Sequence, residues 1–123
     1  MKKIEKIKWF LEPEEKDYPA AQSYLSLIFE DHKATELVVQ LRQGSITRCK
    51  AKDLFRASSL SLLGVSNSHV ETDIEKIRKN KKISPLLLVR DTANRKLIIA
   101  DGYHRLCAVY TFNEDELIPC KIV

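Results

Sequence analysis

Glycine, proline and long apolar runs are all scarce in this chain of 123 residues. Three glycines and four prolines argue against a long linker, a collagen-like repeat or a low-complexity tail. No apolar run approaches the roughly 20 residues that cross a bilayer, and the basic start turns acidic before the apolar stretch of a signal peptide can form. We therefore expect one folded domain that is soluble, unsecreted and without a membrane partner.

Cysteine is present, but not in the patterns that form the disulfides of a small fold or bind zinc. Cys49, Cys107 and Cys120 are odd in number, widely spaced and without a Cys-x-x-Cys pair. Neither a disulfide framework nor a zinc knuckle is predicted. Such usage is typical of a reducing compartment, so we expect a cytoplasmic protein.

Positive charge is in slight excess, and much of it lies in one short stretch. Lysine and arginine number 21 against 17 aspartates and glutamates, a formal net charge of +4. The cations of this basic cluster are Lys76, Arg78, Lys79, Lys81 and Lys82. The cluster is a candidate surface for nucleic-acid phosphates; the alternative is a solvated helix end whose cations face the negative end of the helix dipole.

Apolar periodicity predicts helices and short strands in a segregated order. After an arm of sixteen residues, helical spacing is predicted over 17–29, around 37–41 up to Gly44, over 51–57, from Ser68 onward and from Gly102 to about 113. The first two stretches are either separate or one continuous helix. Ser68, with Glu71 three residues later, matches a capping box. A loop is predicted over 58–68, a hairpin connection over 91–95, and strands over 45–49, 85–90, 96–100 and 117–123.

This order predicts an α+β fold, with a small mixed sheet and helices packed on it, because repeated strand–helix–strand units are missing from the pattern. We place residues 1–44 in an N-terminal helical extension packed on the core. Residues 45–123 form the core domain, and the two parts are expected to make one compact unit.

The segment Asp101-Gly102-Tyr103-His104-Arg105 is the most informative one for chemistry. It joins a buried strand to a helix, and the free N–H groups at a helix start attract anions such as phosphate. Arg105 can bind phosphate in a bidentate manner, and His104 can donate or transfer a proton near neutral pH. Asp101 is either an N-cap or a group that holds a divalent cation or orients Arg105. Since a first-turn arginine is normally exposed, we expect Arg105→Ala to abolish binding without unfolding the chain.

From about Thr47 to Val123 the sequence resembles the ParB/sulfiredoxin superfamily. The segments that carry the resemblance are a capped helix with a basic end, Ile83-Ser84-Pro85-Leu86-Leu87-Leu88-Val89, a hairpin, Ile98-Ile99-Ala100-Asp101-Gly102-Tyr103-His104-Arg105, and a closing Ile118-Pro119-Cys120-Lys121-Ile122-Val123. Sulfiredoxins carry Gly-Cys-His-Arg at this turn and ParB proteins Gly-Glu-Arg-Arg, and both contact a nucleotide there. The resemblance implies that Gly102, Tyr103, His104 and Arg105 bind nucleotide phosphate, with a Mg²⁺ that Asp101 would hold.

Tyr103 stands where sulfiredoxins have their nucleophilic cysteine. A phenol, with a reference pKa of about 10, stays protonated at neutral pH and cannot replace a thiolate. The sequence therefore argues against sulfiredoxin activity. Cys107, one helical turn later, is more often a small core residue than a displaced nucleophile.

The resemblance also assigns nucleotide contacts to the preceding helix, at His69, Thr72 and Lys76. Lys76 departs from the hydroxyl residue that sulfiredoxins have at its position. These positions share one helix face, distinct from the apolar stripe of that helix, so the face is free to meet a ligand. The alternative is the polar outer face of an amphipathic helix.

Three functions stay open on the sequence alone. The first is binding of a nucleotide or other phosphate-bearing ligand; if it is an enzyme, the resemblance implies phosphoryl transfer or nucleotide hydrolysis with Mg²⁺, with His104 and Asp101 as catalytic candidates and Asp53 as another carboxylate base. The second is a DNA-associated module that binds phosphates through the basic cluster, without sequence specificity because no helix-turn-helix pattern is present. The third is a non-catalytic interaction domain. The N-terminal helices, outside the resemblance, are candidates for a homodimer surface or a lid.

Overall fold

The computed structural model describes residues 6–64 and 67–123. The helices in these ranges are α1 (Asp17–Leu25), α2 (Asp31–Gln43), α3 (Ala51–Ser58), α4 (Ser68–Arg78) and α5 (Tyr103–Phe112). The strands are β1 (Thr47–Lys50), β2 (Leu86–Asp91), β3 (Lys96–Asp101) and β4 (Leu117–Ile122), and a short 3-10 turn, Thr92–Asn94, joins β2 to β3. The predicted α+β class is confirmed.

The strands form one mixed sheet in the order β1-β4-β2-β3. β1 pairs with β4 and β2 pairs with β3 in antiparallel fashion, whereas β2 and β4 run parallel. β4, the last strand in sequence, therefore lies inside the sheet and connects β1 to the β2–β3 hairpin.

Each face of the sheet carries its own apolar core, which explains the uninterrupted apolar run of β2. Successive side chains of a strand point to opposite faces. Leu86 and Leu88 accordingly pack in the core with α3, α4 and α5, while Leu87 and Val89 pack in the core with α1 and α2. A strand covered on both faces has no solvent-facing side, so its sequence is continuously apolar and does not alternate between apolar and polar residues.

Several predicted boundaries differ from the structure. α1 ends at Leu25 rather than near Phe29, and α2 is a separate helix that begins at Asp31. The capping box at Ser68 is wrong: the Asn67 side chain caps α4, accepting from the amides of His69 and Val70 at 3.0 and 3.2 Å. Asn and Ser are equally good caps, so adjacent ones cannot be ranked by type. Residues 1–5 of the predicted arm and residues 65–66 of the predicted loop lie outside the described residues.

The N-terminal segment runs beside Ile83, which precedes β2, and backbone hydrogen bonds join the two. Ile83 donates to the Lys8 carbonyl at 3.0 Å and accepts from the Phe10 amide at 2.9 Å.

No helix in the described ranges combines the length and apolar content that a bilayer crossing requires. The division into an extension, residues 1–44, and a core domain, residues 45–123, stays a prediction.

Lys121 of β4 is almost fully buried on the α1–α2 side of the sheet. Its Nζ donates to the Tyr18 hydroxyl at 3.2 Å and to the Arg42 carbonyl at 3.1 Å, and lies 3.0 Å from a Glu12 carboxylate oxygen. Burial alone would lower the pKa of Lys121, but the bonds to Glu12 and Tyr18 outweigh it and the pKa is raised. The ammonium thus links the arm, α1 and α2 to one central strand.

Replacing Lys121 with methionine is expected to destabilise the fold by about 2 kcal/mol, because the buried Tyr18 hydroxyl and the Arg42 carbonyl lose their donor while the volume is kept. The expected measurement is a lower urea midpoint in equilibrium unfolding. Lys33→Met is the control, since Lys33 forms an exposed pair with Glu36 and should change stability by no more than about 0.5 kcal/mol. Equal, small effects of both substitutions would contradict a structural role for Lys121.

Candidate functional site

The turn between β3 and α5 is shaped by Gly102. Its φ of 109° lies in the left-handed region, which residues with a Cβ atom rarely adopt. A Cβ at this position would meet Leu86 Cγ at 2.7 Å and Arg105 Nη2 at 3.0 Å. Gly102 thus lets α5 begin close against β2. It is also the N-cap of α5 and provides no side-chain cap, so the first amides of the helix are free to meet an anion.

A cavity of about 220 Å³ opens at this helix start. We call it the site cavity, and α4 and the β3–α5 turn both contribute to it. Its lining residues are His69, Thr72, Asp73, Lys76, Asp101, Gly102, Tyr103, His104 and Arg105. The structure therefore brings together all the residues named from the sequence as ligand contacts. Asp73 is an addition that the sequence reasoning missed, although it lies four residues after His69 and hence on the same helix face.

Two imidazoles and a phenol lie side by side in the site cavity. The His69 and His104 ring centroids are 4.9 Å apart, and the Tyr103 and His104 centroids 5.6 Å apart. The Thr72 hydroxyl donates to the Ser68 carbonyl at 2.8 Å and keeps its lone pairs for another donor. The Lys76 ammonium lines the same cavity and contributes positive charge to it.

Arg105 is more deeply placed than the sequence predicted. Its side chain is only 17% exposed, and Nη2 lies 2.9 Å from Asp101 Oδ2 and 3.7 Å from Asp17 Oδ2. Nη2 also donates to the Pro85 carbonyl at 3.3 Å. The N-cap interpretation of Asp101 is wrong, since its carboxylate accepts from Arg105; the alternative, that it orients the guanidinium, describes the geometry. Within residues 6–64 and 67–123, Arg105 Nε has no hydrogen-bond partner.

Asp17 brings the N-terminal segment to this arginine. Its carboxylate is buried and accepts hydrogen bonds from the Ser84 hydroxyl and, at 3.2 Å, from the Glu14 amide. A guanidinium shared by two carboxylates is fixed in position and in charge. Asp17 was assigned from the sequence only to the start of a helix, and no local pattern reveals its contact with Arg105.

The acidic groups of the site cavity are carboxyls with raised pKa values. Burial raises the pKa of Asp101, partly offset by Arg105 and reinforced by Asp17. Burial also raises the pKa of Asp73, against the lowering effect of Arg105 and Lys76. In the described part of the chain, no group of three or more His, Cys, Asp or Glu side chains is placed to hold a metal ion. A Mg²⁺ that arrives on phosphates needs only one or two protein carboxylates, and Asp101 and Asp73 are the carboxylates that line the cavity.

The loop after α3 packs on the first two turns of α5. The Tyr103 hydroxyl donates to the Ser61 carbonyl, and the Leu63 amide donates to Cys107 Sγ at 3.5 Å. Burial raises the pKa of Tyr103 and of the Cys107 thiol, so both are protonated at neutral pH and unsuited to nucleophilic attack. Asp53, considered as a base, lies on α3 beside Arg56 and does not line the site cavity.

No protein-family model, curated protein or solved structure matches the chain. The resemblance to the ParB/sulfiredoxin superfamily therefore stays a prediction. The fold and the site cavity, by contrast, do not depend on it.

The basic cluster lies at the end of α4 and beyond it. Lys76 lines the site cavity and also, with Lys79 and Lys81, a neighbouring groove of about 430 Å³. Glu71 and Glu75 line the same groove. Carboxylates between the lysines reduce the positive potential that a polyanion would meet.

Proposed function

We propose that the chain binds the phosphate groups of a nucleotide in the site cavity. One observation carries the proposal: His69, Thr72 and Lys76, three polar residues on one face of α4, meet the uncapped start of α5 across a single cavity. Backbone amides, imidazoles and an ammonium around one small volume are donors for an anion. Of the two carboxylates in the same lining, Asp101 is already engaged by Arg105. Phosphate is the anion that this donor set suits best.

The groove along α4 supports a ligand longer than phosphate. It shares Thr72 and Lys76 with the site cavity, so a molecule whose phosphates lie at α5 can extend along α4. The site cavity alone, at about 220 Å³, is smaller than the roughly 300–1,000 Å³ of sites for larger ligands. A nucleoside attached to the phosphates would occupy the groove, and the superfamily resemblance agrees with a nucleotide.

Mg²⁺ would enter with the nucleotide rather than as a resident ion. Asp101 and Asp73 are the carboxylates that would hold it, and it would supply positive charge to the phosphate oxygens. If the bound nucleotide is turned over, the resemblance favours phosphoryl transfer or hydrolysis. His104 is then the candidate proton acceptor, because it lines the cavity and imidazole is the side chain most often used as a general base.

A thermal-shift series with ATP, ADP, CTP, GTP and inorganic phosphate, each with and without Mg²⁺, tests the proposal. A ligand at 100 times its dissociation constant is expected to stabilise the fold by about 2.7 kcal/mol. Lys76→Ala and His104→Ala should each weaken binding about tenfold, the usual loss for one charge-assisted hydrogen bond. Lys82→Ala is the matched control, since Lys82 is exposed and lines neither the site cavity nor the groove.

Arg105→Ala is unsuitable as the binding test, because its carboxylate partners make it part of the fold. Absence of a shift with every nucleotide and with phosphate would contradict the proposal and favour the interaction-domain alternative. A salt-sensitive shift with duplex DNA that Lys82→Ala weakens would instead favour the basic cluster as a phosphate-binding surface.

A further inference from the structure

The fold brings together two cysteines that are 71 positions apart. Cys49 lies on β1 and Cys120 on β4, and their sulfur atoms are 3.7 Å apart. In the antiparallel register Cys49 faces Ile118 and Cys120 faces Thr47. The two cysteines are thus diagonal neighbours on one face of the sheet, a relation that lets side chains touch.

The two thiols differ in accessibility and in protonation. Cys49 is half-buried on the edge strand, whereas Cys120 is fully buried beneath it. Burial, followed by the neighbouring Cys49, raises the pKa of Cys120 to about 12. A small oxidant therefore reaches Cys49 first. The raised pKa leaves Cys120 only a small thiolate fraction, so its attack on the oxidised Cys49 is the slow step, and its contact with the Cys49 sulfur at 3.7 Å compensates for that small fraction.

We propose that Cys49 and Cys120 form a site of reversible oxidation, at which hydrogen peroxide converts the two thiols into a disulfide that joins β1 to β4. The Cys49 sulfur attacks one peroxide oxygen, the O–O bond breaks, and a sulfenic acid and one water form. The Cys120 sulfur then attacks the Cys49 sulfur. The S–S bond forms as the S–O bond breaks, and the hydroxyl leaves as a second water with the Cys120 proton. Two sulfurs are oxidised while one peroxide is reduced to two waters.

The position of β1 makes the bond both attainable and easy to reverse. Diagonal residues in an antiparallel pair have Cα atoms about 7–8 Å apart, slightly beyond the range of about 4.4–6.8 Å that disulfides prefer. Closing the bond requires β1 to shift toward β4. β1 is a four-residue strand at the sheet edge, paired on one side only, so it can make this shift. A disulfide held in this way is readily reduced by a dithiol.

The test is to oxidise the fully reduced chain with one equivalent of hydrogen peroxide and then count thiols after denaturation. Free thiols should fall from three to one, the intact mass should decrease by two hydrogens, and a peptide map should link Cys49 to Cys120. Dithiothreitol should restore all three thiols.

Cys107 provides the matched control. Its buried thiol accepts from Leu63 and is engaged on α5, so Cys107→Ser should still lose two thiols, whereas Cys49→Ser should lose none to an internal disulfide. The peptide map uses the unmodified chain and does not depend on whether a variant folds. Three free thiols after treatment, a link that includes Cys107, or disulfides only between chains would each overturn the proposal.

Discussion

Replacing Arg105 with alanine is expected to destabilise the fold by about 4 kcal/mol, within the usual range of about 3–5 kcal/mol for removing one partner of a buried ion pair. The substitution leaves Asp17 and Asp101 without their shared cation, and these side chains are only 5% and 18% exposed. Since whole domains are stable by about 5–15 kcal/mol, such a loss would leave the variant partly unfolded at moderate temperature. Urea unfolding monitored by circular dichroism measures it directly.

The destabilisation by Arg105→Ala should shrink as the pH falls from neutral toward the pKa of about 3.9 that an aspartate has in the unfolded chain. Arg105 lowers the pKa of Asp101 against the effect of burial, so its removal places the pKa of Asp101 still further above the value in the unfolded chain. A carboxyl with a raised pKa binds protons more tightly in the folded state, and stability is therefore gained as the pH falls through that raised pKa toward the unfolded-chain value of about 3.9. Unfolding curves across this range would show the two chains converging.

An exposed arginine serves as the control for this effect. Arg56 is 83% exposed beside Asp53, and Arg56→Ala should change stability by no more than about 0.5 kcal/mol at any pH in the range. Arg105→Lys, which keeps the charge, should lose less stability than Arg105→Ala. If Arg105→Ala changed the stability as little as Arg56→Ala, the ion pairs of Arg105 with Asp17 and Asp101 would not stabilise the fold.

Gly102→Ala is expected to destabilise the fold by about 3 kcal/mol. The left-handed backbone of Gly102 costs a side chain about 1–3 kcal/mol, and the overlap of the new Cβ with Leu86 adds an overpacking cost of about 1–3 kcal/mol. Relief of the clash would move the first turn of α5 away from β2. The variant should therefore have a lower thermal midpoint and also weaker phosphate binding.

Gly44→Ala distinguishes this effect from the general cost of replacing glycine. Gly44 has a φ of −72°, and an added Cβ would meet nothing nearer than 3.4 Å. We expect a change of no more than about 0.5 kcal/mol there. Comparable losses at both glycines would show that neither the φ of Gly102 nor its contact with Leu86 matters.

The sequence was sufficient to predict the elements whose pattern is set by neighbouring residues. The apolar runs of β2 and β3, the short connection between them and the start of α5 after Gly102 are each set by neighbouring residues, and their bounds are close to the predicted ones. The burial of Lys121 could not be foreseen, because it depends on β4 being an interior strand with α1 and α2 covering one face. Strand order is a long-range property that periodicity does not encode.

In the candidate site, too, the local features could be predicted from the sequence and the long-range contacts could not. The turn from Asp101 to Arg105 is a contiguous segment, and its cavity contacts follow from the direction in which α5 begins. Its meeting with α4 was suggested by resemblance, not by spacing. Asp73 carried a signal, since it shares the helix face of His69, whereas Asp17 carried none, since its contact with Arg105 spans 88 positions of sequence.

The interior position of β4 has a consequence for the order of folding. β1 and β2 have no direct pairing, and each joins the sheet through β4, so the four-stranded sheet cannot assemble until residues 117–122 are in place. The required contacts join distant parts of the chain, such as Cys49 with Ile118, and non-local pairing of this kind slows folding. We expect the β2–β3 hairpin to form early and the docking of β4 to limit the rate, which would give substitutions in β4 the strongest influence on folding speed.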